Sequence, residues 1–243
     1  MSSKITFTSL VLLFITHFEL KAQYSLDDFS LDQNLSIWYD EQIGLENTIL
    51  LNGEKYTFSK KSPNSHEYFK DNSWQKARIV YFDQQFESIP AIYNIENDEL
   101  VIQHPVLPAY AIKLTREQVS SFSFENDDFR FIEESINFHP PGYYQVFFQG
   151  RHIELICKVS KELVIKSGIL TYKLKYKPFI KLASETKYKS VRLVSHVIKM
   201  FPEEKEELKL FRKKQKIKRK LNNPDNLQRL NQLLIHCEKI MEE

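Results

Sequence analysis

The chain has 243 residues, 42% hydrophobic and 13% aromatic, with 34 Lys and Arg against 32 Asp and Glu for a formal net charge of +2. That apolar content excludes global disorder and suffices for one large domain, or one domain with an appendage. Five glycines and two cysteines exclude a glycine-rich phosphate cradle and a disulfide scaffold.

Residues 1–22 have the order of a secretory leader: Lys4, an apolar run from Ile5 to Phe18, then Leu20-Lys21-Ala22 before Gln23. Cleavage is expected after Ala22, and no cysteine lies near that point to take a lipid anchor. The run falls short of the about 20 residues that span a bilayer, and no later run reaches that length. The mature chain is therefore expected to have no membrane span. Its expected location is the periplasm or the inner face of an outer membrane.

Residues 23–47 are acidic, with Leu31, Leu35 and Trp38 at helical spacing, and read as a linker or short helix. Residues 48–189 read as an antiparallel β domain. Thr48-Leu51 and Lys55-Ser59 flank Asn52-Gly53, a hairpin signal. Further runs follow at Ala77-Phe82, Ser88-Ile95, Leu100-Gln103, Ala109-Leu114, Val119-Phe124 and Phe129-Ile132. After the rigid turn at Pro140-Pro141-Gly142 come Tyr143-Gln149 and His152-Lys161, joined at Gly150-Arg151. In the last run Leu170, Tyr172, Leu174 and Tyr176 alternate with Lys173, Lys175 and Lys177, the period of a half-buried strand.

Residues 190–243 read as a basic helical segment. Val191, Val194, Ile198 and Phe201 form one apolar stripe. Pro202 and the glutamates after it suit the start of a second helix carrying Leu210, Lys214, Ile217 and Leu221 on one face. Asn222-Asn223-Pro224-Asp225 restarts a third, with Leu227, Leu230, Leu234, Cys237 and Met241 on its apolar side. The fold class is thus α+β. A mainly antiparallel β meander (curled sheet, open barrel or sandwich) precedes a C-terminal segment of about three helices.

Three stretches resemble an uncharacterised family of secreted proteins of Bacteroidota-type Gram-negative bacteria. They are Leu51-Asn52-Gly53-Glu54-Lys55-Tyr56, Gly142-Tyr143-Tyr144-Gln145-Val146-Phe147-Phe148-Gln149-Gly150, and Met200-Phe201-Pro202-Glu203-Glu204-Lys205-Glu206-Glu207-Leu208. The Lys-rich stretch before the last helix is similar too. The resemblance implies an envelope location and brings no catalytic residues.

No two-His helical zinc motif, no paired Cys-x-x-Cys and no Gly-x-Ser-x-Gly elbow occurs in the sequence. No catalytic residue, metal site or cofactor is therefore assigned. His152 and Glu154 share one strand face and are the one candidate for a metal or acid/base pair, against the simpler reading of a solvated face. Cys157 and Cys237 both fall on apolar faces. In an oxidising compartment they are a candidate disulfide, and otherwise two buried thiols. Tyr110, Tyr143, Tyr144, Phe147, Tyr172 and Tyr176 read as core aromatics, with a ligand cavity in a curled sheet as the alternative.

The near-zero net charge conceals a division. Residues 23–157 hold 10 Lys and Arg against 21 Asp and Glu, whereas residues 158–220 hold 20 against 6. Within the second stretch Arg212, Lys213, Lys214, Lys216, Lys218, Arg219 and Lys220 are the most distinctive surface feature. They are expected either to meet an anionic envelope surface or envelope protein, or to be neutralised by the acidic sheet. Nucleic acid suits such a patch but is not an expected partner of an exported chain. The sequence thus points to a non-enzymatic envelope protein with a binding or assembly role. A small-ligand carrier and a hydrolase are the alternatives.

Overall fold

Short runs of β-branched and aromatic residues separated by tight turns pair most readily with their sequence neighbours, since little chain must be ordered between partners. The computed structural model describes residues 44–59, 61–62 and 64–242. The expected leader, 1–22, and positions 23–43 of the expected linker lie outside the described residues. The strands are β1 (Glu54–Tyr56), β2 (Gln75–Tyr81), β3 (Gln84–Asn94), β4 (Glu99–Gln103), β5 (Ala111–Lys113), β6 (Val119–Phe124), β7 (Asp127–Ile132), β8 (Gly142–Gln149), β9 (Ile153–Lys166), β10 (Ile169–Leu182) and β11 (Lys189–Ser190). They form one 11-stranded sheet in the order β1-β5-β4-β3-β2-β6-β7-β8-β9-β10-β11. Every pair is antiparallel, so two meanders grow outward from β2.

The sheet does not close, but it curls. The Lys161 amide of β9 donates to the Ile95 carbonyl beyond β3 at 3.4 Å, and the Tyr172 hydroxyl of β10 donates to Glu96 at 2.9 Å. Of the architectures left open by the pattern, a single unclosed antiparallel sheet is formed. Its interior is filled by rings. Phe122 stacks on Phe129 at 4.8 Å, and Tyr93, Tyr143 and Phe69 meet this pair edge-on at 5.0–5.1 Å. Tyr143 and Tyr144 face opposite sides: Tyr143 enters this core, Tyr144 a smaller outer cluster with Ile136, Ile156 and Phe179. Tyr110 is exposed, against expectation, because its segment is a turn outside the shortened β5.

The hairpin expected at Asn52-Gly53 does not form. Thr48 turns the preceding segment into short 3-10 turns, Leu45–Asn47 and Ile49–Leu51, by accepting from the Leu50 amide at 3.4 Å and donating to the Leu45 carbonyl at 2.8 Å. β1 then pairs with β5 instead. The longest hairpin, β9–β10, turns on Ser167 (φ 50°) and Gly168 (φ 77°), the left-handed pair that a two-residue turn requires.

Three helices follow, α1 (Val194–Ile198), α2 (Lys205–Lys214) and α3 (Pro224–Glu242). Proline at the first position of α3 lacks only an N–H that would be unpaired there, and Asn223 accepts from the Asn226 amide at 2.9 Å. Val194, Val197, Leu208, Leu227, Leu230, Leu234 and Cys237 all join the core of the sheet. Cys157 and Cys237 enter that core as free buried thiols, not as a disulfide. Among the described residues no helix is long and apolar enough to cross a membrane.

α3 is pinned to the β8–β9 turn by one carboxylate. Glu238 accepts from the His152 amide at 2.9 and 3.1 Å and from the Ile153 amide at 2.6 Å. Gly150 leaves room for it, since a Cβ there would lie 2.3 Å from Glu238 Oε1. Glu238→Ala strands two main-chain donors and is expected to cost about 2 kcal/mol. Glu238→Gln, which keeps an acceptor oxygen, should cost about half as much. Urea midpoints at constant m-value check both.

Candidate functional site

The apolar spacing predicts that the basic run lies within a long second helix, but α2 ends at Lys214 and Lys216 turns left-handed at φ 53°. Leu208, not Leu210, is the residue α2 buries, and Leu210 is 67% exposed. Beyond the helix the chain is extended, with Ile217 and Leu221 inserted into the core as anchors. Asn226 of α3 is 2% exposed and holds the segment between them. Its Oδ1 accepts from the Lys218 amide at 2.8 Å, and its Nδ2 donates to the Lys218 and Lys220 carbonyls at 2.9 and 2.6 Å. The neighbouring strand-like stretch completes the fit, the Leu221 amide donating to the Arg192 carbonyl at 3.0 Å and the Val194 amide to the Arg219 carbonyl at 3.1 Å.

With its backbone so fixed, the segment turns its charges outward. Lys213, Lys214, Lys216, Lys218, Arg219 and Lys220 are exposed and Arg212 is half-buried, its Nε donating to the Ile217 carbonyl at 3.2 Å. Arg212, Lys213 and Lys214 occupy the last turn of α2, where they complement the helix dipole. Lys216, Lys218, Arg219 and Lys220 have no such local reason. Among the described residues none of the seven meets a carboxylate within 4 Å.

Five acids of the acidic half are paired elsewhere. Asp98 pairs with Lys158, Glu96 with Lys61, Glu87 with Arg78 and Glu54 with Lys113, each at 2.8 Å. Asp127 pairs with Lys70 and accepts from Gln145 at 2.7 Å. These acids spend their charge within the sheet, so they do not cover the basic segment.

Of the other candidate residues, Glu154 is occupied structurally and the two thiols are buried. Glu154 meets Arg130, accepts from the Tyr188 hydroxyl at 2.5 Å and has Lys181 at 3.9 Å, while the His152 amide serves Glu238. They make no acid/base pair. Burial raises the Cys157 thiol far above its ordinary value and the Cys237 thiol to about 12, so neither supplies a thiolate near neutrality. Among the described residues no group of His, Cys, Asp and Glu is placed to hold a metal ion.

Two half-buried lysines, Lys158 and Lys161, have no local signal in their own strand. Lys158 Nζ donates to the Tyr143 carbonyl at 2.9 Å beside Asp98, and burial lowers its pKa. Lys161 donates to the His66 and Tyr68 carbonyls at 2.9 and 2.5 Å, and burial lowers its pKa to about 8. Each binds a loop to the sheet. The available signal was Gly142, which read as turn punctuation. A Cβ there would lie 2.0 Å from Asp98 Oδ2 and 2.8 Å from Lys158 Nζ.

No protein-family model matches the chain, and comparison with curated proteins and with solved structures found no match. The functional reading therefore rests on the geometry.

Proposed function

We propose that this is a non-catalytic binding protein of the bacterial cell envelope that attaches to an anionic surface through the segment Lys213–Lys220. The observation that carries this reading is the exposed basic segment itself, held rigid by the buried Asn226 and unpaired among the described residues. Because the main chain under Lys218 and Lys220 is already ordered, binding costs little backbone entropy there, and the field of the cations reaches about 8 Å at physiological salt. The envelope location is supported by the leader-like order of residues 1–22 and by the resemblance to secreted proteins. The ring-filled interior favours this reading over a carrier with its cavity inside the sheet. The occupied Glu154 and the buried thiols favour it over a hydrolase.

The test is retention on vesicles of anionic phospholipid and on lipopolysaccharide. Each lysine or arginine near such a surface contributes about 1 kcal/mol. A variant with Lys213, Lys214, Lys218 and Arg219 changed to Gln should therefore be retained at least about tenfold less, and salt should release the wild type. Equal, salt-insensitive retention of both proteins would overturn the proposal.

A further inference from the structure

A hollow of about 660 Å3 lies beside the basic segment, where the 137–139 loop, the end of β10, the 190–193 stretch, His196 of α1 and residues 220–222 meet. Its volume is in the range of small-molecule sites, about 300–1,000 Å3. We propose that it binds a single-chain amphiphile with an anionic head, of the class of fatty-acid carboxylates and alkyl phosphates.

The floor and wall are apolar. Pro178, Phe179, Leu193 and Leu221 line the hollow, and Phe138 joins them while wholly exposed, at 105%. A solvent-exposed phenylalanine is unremarkable alone, but this one is presented by a tight two-residue turn. Asn137 and Phe138 lie at φ 47° and 68°, in the left-handed region that side chains larger than glycine occupy at a cost. Two bonds hold that conformation: the Ile136 amide donates to the His139 carbonyl at 3.0 Å and the His139 amide to the Ile136 carbonyl at 2.9 Å. This two-residue turn thus holds an aromatic ring in water at the mouth of an apolar hollow. A hydrocarbon chain laid against Phe138 would cover that exposed ring, over a floor in which Phe179 and Leu221 are already buried.

The rim is cationic. Lys177, Arg192 and Lys220 border the hollow, all three are exposed, and no Asp or Glu lines it. Among the described residues none of the three has an ion-pair partner. His139 stands edge-on to Phe179 at 5.7 Å. Burial and the neighbouring Lys177 and Lys158 lower its pKa, so near neutrality it adds ring surface instead of a fourth charge. An uncharged chain would leave the rim cations unused, and a small inorganic anion would leave the apolar floor uncovered. A ligand that carries both features answers both. This goes beyond surface attachment, because of the basic run only Lys220 lines the hollow.

Calorimetric titration of the protein with decanoate, below its aggregation concentration, tests the proposal. Decanoate should bind one-to-one, and decanol and butyrate, which separate chain from head, should each bind at least tenfold more weakly. Phe138→Ala and Arg192→Gln alter exposed side chains, so both should keep the wild-type urea midpoint while weakening decanoate at least fivefold. The variant with Lys213, Lys214, Lys218 and Arg219 changed to Gln should bind decanoate as the wild type does, whatever its retention on vesicles. Absence of wild-type binding, decanoate no tighter than decanol, or decanoate binding undiminished in both Phe138→Ala and Arg192→Gln would each overturn it. Loss of decanoate binding in the four-residue variant would overturn it too. Equal, salt-insensitive vesicle retention of the wild type and this variant, with decanoate binding intact, would instead sink only the attachment reading.

Discussion

Asp98→Asn is expected to destabilise the protein by about 3–5 kcal/mol, the cost of leaving one member of a largely buried ion pair without its partner. Asp98 and Lys158 side chains are 15% and 13% exposed and 2.8 Å apart. The carboxylate also accepts from the Tyr93 hydroxyl at 2.5 Å and from the Tyr143 amide at 3.1 Å. Burial and the adjacent Asp98 hold the Tyr93 phenol well above its ordinary pKa, so it stays a donor. Asparagine preserves shape and tolerates the left-handed backbone of residue 98, at φ 63°. The substitution therefore isolates the charge. It turns an amide N–H toward donors that had an acceptor and strands the Lys158 ammonium. Adding Lys158→Met removes the stranded charge and should recover at least about 1 kcal/mol of the loss. Urea denaturation of the single and double variants checks this. A single-variant loss below about 1 kcal/mol would show that the pair is not desolvated in solution.

Phe122→Ala should cost about 4 kcal/mol, from lost transfer free energy and the cavity left behind. Phe122 is 3% exposed and touches four rings: Phe129 at 4.8 Å, Tyr143 at 5.0 Å, Tyr93 at 5.1 Å and Phe124 at 5.6 Å. These come from β3, β6, β7 and β8, all well-formed ladders, so the site cannot collapse without bending several strands. Phe122→Leu keeps most of the volume and should cost about 1.5 kcal/mol. Thermal and urea unfolding measure both. If the alanine variant lost less than about 1 kcal/mol, the sheet interior would be loosely filled, and a carrier-type cavity would regain support.

Much of the sheet was legible locally. Strands β2, β4, β6, β7 and β8 fall within about two residues of their apolar runs, because alternation with period two is a property of the strand alone. The same holds for α3, whose Asn-Pro start and leucine spacing are local signals. The Asn52-Gly53 hairpin failed because the signal names a turn but not a partner, and β5 offered the better ladder to β1. The second helix was drawn too long since Ile217 and Leu221 continue its apolar spacing. They reach the core instead from an extended segment that Asn226 stabilises from another helix.

Fold class, the segregation of charge and the identity of the basic run can be read from the linear chain, since composition and periodicity are additive along it. Which acids find ion-pair partners, and that none of them meets the basic segment among the described residues, is set by the packed structure. Only it placed Phe138, Lys177, Arg192 and Lys220 around one hollow. Those residues are separated by tens of positions, and their meeting depends on the curl of the sheet and the docking of the helices. Ion pairing and concavity are set by distances through space, and a linear pattern does not contain them.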